Sequence, residues 1–235
     1  GAVDTSVKVS GTLPPLAELG GLGKDLARVF ALPVKFEFVQ GLDGLSVGLG
    51  RAHVAVAGFD GAIRVAGTPA DITIDSPPNR PLGIARIDKS DLGVIIRNLA
   101  IPLQIHFKPG VAGQVFDVET GVKLAFEPGH AEGPKAMQLS GGLSTMLKTS
   151  GRLPALDRLG SLGGNLGAVM ALPVTFDLQQ RFQDMSVALP AKQIKVTKLA
   201  GAVHVFGRPG DVTIESPADA PLGIDRKSTR LNSSH

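Results

Sequence analysis

The chain has 235 residues, 43% hydrophobic and 19% charged, a balance that suits a packed globular protein and excludes a disordered one. It contains no cysteine, which excludes disulfides, thiolate metal sites and cysteine nucleophiles. The formal net charge of +3 owes part of its value to a tail, residues 226–235, that resembles the peptide obtained by translating sequencing-adaptor DNA. Residues 227–235 are therefore expected to be foreign to the natural protein. Without Lys227 and Arg230 the net charge is about +1, and the basicity that would suggest a nucleic-acid partner largely disappears.

Taken in order, the chain first shows Leu13, Leu16, Leu19, Leu22, Leu26 and Val29 at spacings of three and four, the face of an amphipathic helix. Pro14 and Pro15 fit its first turn, whereas Gly20, Gly21 and Gly23 each cost roughly 1 kcal/mol inside it. Ala31-Leu32-Pro33-Val34 ends it, and the period changes to two. Val34, Phe36 and Phe38 alternate with Lys35 and Glu37, as in a strand with one buried face. Short strands follow around residues 45–49, 54–56, 63–65 and 72–74, separated by expected turns at 41–44, 59–61 and 67–69. Residues 91–98 fit a short helix or a strand, because Val94, Ile95 and Ile96 are β-branched. Strands are again expected at 101–107, 115–118 and 122–126, with 128–134 as a linker.

Residues 1–84 align without a gap on residues 141–224, with 38 identities. A match of that length points to duplication of a folding unit. The Ala-Leu-Pro-Val stretch recurs as Ala171-Leu172-Pro173-Val174, and more loosely as Ala100-Ile101-Pro102-Leu103. The expected organisation is one unit at 1–140, with possible halves 1–80 and 81–140, and a truncated second unit at 141–226. Gly1 lies inside a unit, so a preceding segment is expected. The expected fold class is α+β, sheet-dominated, a tandem repeat of helix-then-antiparallel-meander units.

The most regular polar set is Asp71, Thr73 and Asp75, matched by Asp211, Thr213 and Glu215. Alternation places them on one strand face. Two carboxylates and a hydroxyl are suitable ligands for a hard cation, and the plain alternative is a solvated face entering a turn at Ser76-Pro77. No histidine is shared by both copies, since His53 aligns with Gln193 and His204 with Arg64. Neither a Gly-x-Ser-x-Gly elbow nor a His-Glu-x-x-His motif occurs, so no catalytic residue is assigned. Gly20-Gly21-Leu22-Gly23 lacks the Gly-Lys-Ser/Thr continuation of a phosphate loop. Basic residues are single and lack aromatic partners for stacking bases, and no apolar run reaches the roughly 18 residues of a membrane-spanning helix.

What remains is apolar surface. Leu19, Leu22 and Leu26 of the helix, with Val34, Phe36 and Phe38 of the strand, either build an ordinary core or line a groove for an acyl chain. The pattern resembles lipid-carrying repeats of the TULIP or AsmA-like kind, which combine curved antiparallel sheet with helices and little catalytic chemistry. That resemblance implies a non-enzymatic, cofactor-free protein of the cell envelope that binds a hydrophobic ligand, such as a lipid, or a protein partner. A structural or adhesive array, in which neighbouring repeat units are the partners, is the alternative. A carboxylate-dependent hydrolase is the weaker one.

Overall fold

The computed structural model describes residues 1–12, 25–110, 113–131, 135–154, 167, 170–189 and 194–224. These residues form one antiparallel sheet of thirteen strands. The strands are β1 (Ala2–Gly11), β2 (Val34–Leu49), β3 (Val54–Thr68), β4 (Asp71–Asp75), β5 (Gly83–Lys89), β6 (Val94–Ala100), β7 (Leu103–Lys108), β8 (Gln114–Pro128), β9 (Gln138–Leu153), β10 (Val174–Leu189), β11 (Ile194–Arg208), β12 (Asp211–Glu215) and β13 (Gly223–Ile224). Their lateral order is β1-β2-β3-β4-β7-β8-β9-β10-β11-β12. Between the long strands β3 and β8 the sheet divides. The pair β4–β7 fills one end and β5–β6 the other, because β3 pairs with both β4 and β5 and β8 with both β7 and β6.

This overturns the α+β, helix-then-meander expectation. Among the described residues helix is reduced to α1, five residues at Leu26–Phe30, with a 3-10 turn at Gly50–Ala52 and helical Gly167 and Met170; α1 is capped by Asp25, whose carboxylate accepts from the Arg28 amide at 3.2 Å. The leucine face from Leu13 through Leu22 lies outside the described residues. Leu153, which aligns with Leu13 at the start of the expected helix, is the last residue of strand β9. Residues 91–98, open between helix and strand, contribute to strand β6. Ala100-Ile101-Pro102-Leu103 therefore joins two strands instead of a helix to a strand. Among the described residues no helix is long and apolar enough to cross a membrane.

Two expected turns are bulges within long strands. Near Gly44 and near Phe59 to Gly61, β2 and β3 keep pairing while the register shifts between Leu42 and Leu45 and again before Val47. Glycine marks bulges as readily as turns, and here it admits an extra residue without ending the ladder. The same shifts occur in β10 between Phe182, Met185 and Val187. Strands β10, β11 and β12 have the lengths of β2, β3 and β4 and begin 140 residues after them.

Burial is thin. Apart from Gly41, Gly61, Gly93 and Gly121, the buried described residues are Ala62, Leu82, Val94, Ala202 and Gln114, and no large side chain is fully enclosed. Ala62 is covered by the loop after β4. Its amide donates to Arg80 O at 3.0 Å, and Ser76 Oγ accepts from the Leu82 amide at 2.8 Å. The aligned stretch 141–224 has the same staple, through Ala202 N–H to Ala220 O at 2.8 Å and Leu222 N–H to Ser216 Oγ at 2.7 Å. The loop can close so tightly because Gly61, at φ +122°, has no side chain. A Cβ there would sit 2.5 Å from Pro81 O.

Rungs run across the whole sheet and expose its stagger. Starting at Lys8, the rung passes Glu37, Ala66, Thr73, His106 and Asp117 and reaches Ser150. The sequence counterpart of Lys8 is Lys148, two positions earlier on the same strand.

Two aligned backbone sites are held left-handed by glycine in one stretch and by a residue with a Cβ in the other, Gly44 (φ +56°) against Asp184 (φ +48°) and Gly58 against Lys198. Gly58 (φ +65°) aligns with Lys198 (φ +54°), so the same left-handed conformation is held by a residue with and without a Cβ. Lys198→Gly is expected to stabilise the chain by about 0.5–1 kcal/mol, since relief of left-handed strain outweighs the added freedom of the unfolded chain. Gly58→Lys is expected to destabilise it by ~2 kcal/mol or more, because its Cβ would lie 2.8 Å from Ala85 Cβ. Urea unfolding followed by circular dichroism measures both shifts.

Candidate functional site

Residues directly opposite one another in an antiparallel pair share a face, so the registers sort the side chains. One rung reads Val7, Phe38, Val65, Ile74, Ile105, Val118, Thr149, Phe176. The next reads Val9, Phe36, Gly67, Ile72, Phe107, Phe116, Gly151, Val174. Together they make an apolar face that runs from β1 to β10 without a charged side chain. It supplies dispersion contact and no hydrogen-bonding groups beyond Thr149.

Of the residues expected to line a hydrophobic site, Val34, Phe36 and Phe38 alternate along β2 and lie on this face. Leu26 is on α1 and 44% exposed. Leu19 and Leu22 lie outside the described residues. Phe38 remains 37% exposed, and Val7 and Val9 at the sheet edge are 64% and 67% exposed. The main contacts among described elements run between hydrogen-bonded strands, with no second layer closing over the face.

The opposite face is polar. Asp71, Thr73 and Asp75 lie on it, as alternation requires, with Thr73 opposite His106. The two carboxylates are each engaged by protein cations. Asp71 Oδ1 is 2.6 Å from His106 Nε2, and Oδ2 is 3.5 Å from Lys108 Nζ. Asp75 takes a fork from Arg64, at 3.0 Å to Nε and 2.5 Å to Nη2. Among the described residues no group of three or more histidine and acidic side chains is placed to hold a metal ion. The hydrogen bond from His106, helped by Lys108, holds the Asp71 carboxyl below the ordinary aspartate range. Arg80 does the same to Asp4, through contacts of 3.0 Å to each carboxylate oxygen.

The aligned stretch places an imidazole between acids where the first stretch has a guanidinium. His204 stands where Arg64 stands, with Nε2 at 3.1 Å from Asp177 and Nδ1 at 3.4 Å from Glu215. The Asp177 contact has ion-pair distance without hydrogen-bond alignment. Phe206 stacks on the ring at 4.4 Å between centroids. Beside this cluster a groove of about 670 Å³, lined by Asp117, Glu119, Lys148, Asp177, Arg208 and Asp211 among others, opens on the polar face.

A second cavity, of about 410 Å³, lies at the seam where β4–β7 and β5–β6 part. Its apolar walls come from Pro81, Leu82, Ile101, Pro102, Leu103 and Met146. Sequence reasoning did not find it, because two non-adjacent Pro-containing turns build it. Their only joint signal was the looser third copy of the Ala-Leu-Pro-Val stretch.

Compared with known proteins, the chain matches no family model, no curated protein and no solved structure.

The lowered aspartates fix a pH response. A carboxyl held below its unfolded value of about 3.8 contributes stability that is fully present above that value and lost as pH falls through the folded one. Stability is therefore expected to fall, as pH drops below about 4, more steeply in the wild type than in an Asp4→Asn/Asp71→Asn variant. Urea midpoints across that range measure it, and equal slopes would refute the assignment.

Proposed function

We propose that this chain is a non-enzymatic repeat protein that binds a hydrophobic, lipid-like ligand along the apolar face of its sheet. The carrying observation is that face: two full rungs of Val, Ile, Phe and small residues across eight strands, left part-exposed by the described elements. Soluble monomers rarely leave so broad an apolar surface uncovered without a binding role. Strands at a spacing of about 4.8 Å make this surface roughly 30 Å wide, long enough for an extended acyl chain. The aromatic inventory supports the same reading. Ten Phe without Tyr or Trp provide contact area with no hydroxyl or indole N–H to satisfy.

The seam cavity adds an open, largely apolar volume within the range of small-molecule sites, with Gln104, Glu119 and Lys123 also on its walls. The similar stretches 1–84 and 141–224 would present the surface twice, in keeping with a repeat that gathers a long ligand or several short ones. An envelope setting suits such a ligand.

The test is organic extraction and native mass spectrometry of the purified chain, with binding of a solvatochromic dye as a second readout. The expected result is retained lipid and saturable dye binding, both reduced at least about fivefold in a Phe36→Asp/Phe38→Asp variant that keeps its far-ultraviolet circular dichroism. A chain that retains no lipid and binds no dye would sink the proposal.

A further inference from the structure

Strands β4 and β12 are near-identical in sequence, Asp-Ile-Thr-Ile-Asp against Asp-Val-Thr-Ile-Glu, yet they are finished differently. β4 lies between β3 and β7, and β12 pairs only with β11 among the described residues. The consequence is visible in the side chains. Ile72 and Ile74 are half-buried, whereas Val212 is 49% and Ile214 70% exposed. Asp71 is held by His106 and Lys108 from β7, while Asp211 makes no ion pair among the described residues. Among the described residues β12 thus shows an apolar side, an acidic side and a row of backbone groups that no other strand pairs, the three things that β7 satisfies on β4.

We propose that the outer edge of β12 is a docking site for an extended segment of the β7 type, added antiparallel as a further strand. The partner chemistry follows from the β4–β7 register, in which Ile72, Thr73, Ile74 and Asp75 face Phe107, His106, Ile105 and Gln104. An acceptable segment carries aliphatic or aromatic residues at alternate positions, to lie beside Val212 and Ile214. Between and after them it carries basic residues, to reach Asp211. Main-chain hydrogen bonds supply affinity, and this alternation supplies register and selectivity. Val212 continues the rung of Phe38 and Phe176 through Gly207, so the site borders the apolar face, while its backbone edge and Asp211 lie off that face.

The probe is a synthetic peptide of residues 101–109 with blocked termini, titrated into the full chain and read by amide chemical shifts and hydrogen exchange. Saturable binding is expected, with a dissociation constant on the order of 0.1–1 mM and protection confined to β12 and the adjoining part of β11. Ile214→Lys should weaken it at least about tenfold. Asp211→Lys should weaken it similarly, and a peptide carrying His106→Glu and Lys108→Glu should bind the Asp211→Lys chain better than the wild type. Circular dichroism confirms that each variant is folded. Absence of saturation at about 5 mM peptide, protection elsewhere, or indifference to the charge exchange would overturn the proposal. Self-association of the chain that the peptide does not displace would also overturn it, by making a second copy the occupant.

Discussion

Parity along the hydrogen-bonded ladder is the constraint on which the rest of this structure depends. With a side-chain period of two, a single-residue slip in any pairing would carry Phe38 and its rung to the charged side. The ladder instead keeps Val7, Phe38, Val65, Ile74, Ile105 and Val118 together through six strands. The bulges near Gly44 and Asp184 interrupt the register only in the far halves of β2 and β10. A sheet with so few buried side chains is held mainly by main-chain pairing, and parity turns that pairing into two chemically distinct faces.

The polar face shows how charge is redistributed between similar stretches. In the first, Arg80 reaches over Gly41 to Asp4, and a Cβ on Gly41 would lie 2.4 Å from the Arg80 guanidinium. In the second, Arg181 takes the place of Gly41, and Ala220 and Ser144 take the places of Arg80 and Asp4. One guanidinium is present in each, supplied by the loop in one and by the strand in the other. The Arg64 to His204 exchange is of another kind. A guanidinium forked onto Asp75 is replaced by an imidazole ring between Asp177 and Glu215.

Much of the sheet was legible in the sequence, and the errors have physical causes. Alternation found β2, β7 and β8 and assigned Val34, Phe36, Phe38, Asp71, Thr73 and Asp75 to the faces they occupy. Glycine was read as turn at residues 41–44 and 59–61, where the structure has bulges, because the two use the same backbone freedom. β1 carries its own alternation, Val3, Thr5, Val7 and Val9 between Asp4, Ser6 and Lys8, but it lies directly before a leucine spacing whose helical period is the stronger local signal. β5 and β9 are rich in small and polar residues and give little periodic signal. The candidate site was half legible. Which residues share a face follows from period two, but which strands become neighbours depends on long-range pairing that local pattern does not encode. The seam cavity belongs to that second kind.

The rung from Lys8 arrives at Ser150 and not at Lys148, and this small offset sets a direction in space. Two residues along a strand is about 7 Å. Anything that tracks the rungs, a ligand tail or a further strand, is carried obliquely and not straight across, gaining that height with each passage from one lysine strand to the next. The apolar face is thus a ramp with a fixed pitch. A ligand stiff enough to resist that pitch would leave the valines and phenylalanines behind, whereas a flexible chain would follow them.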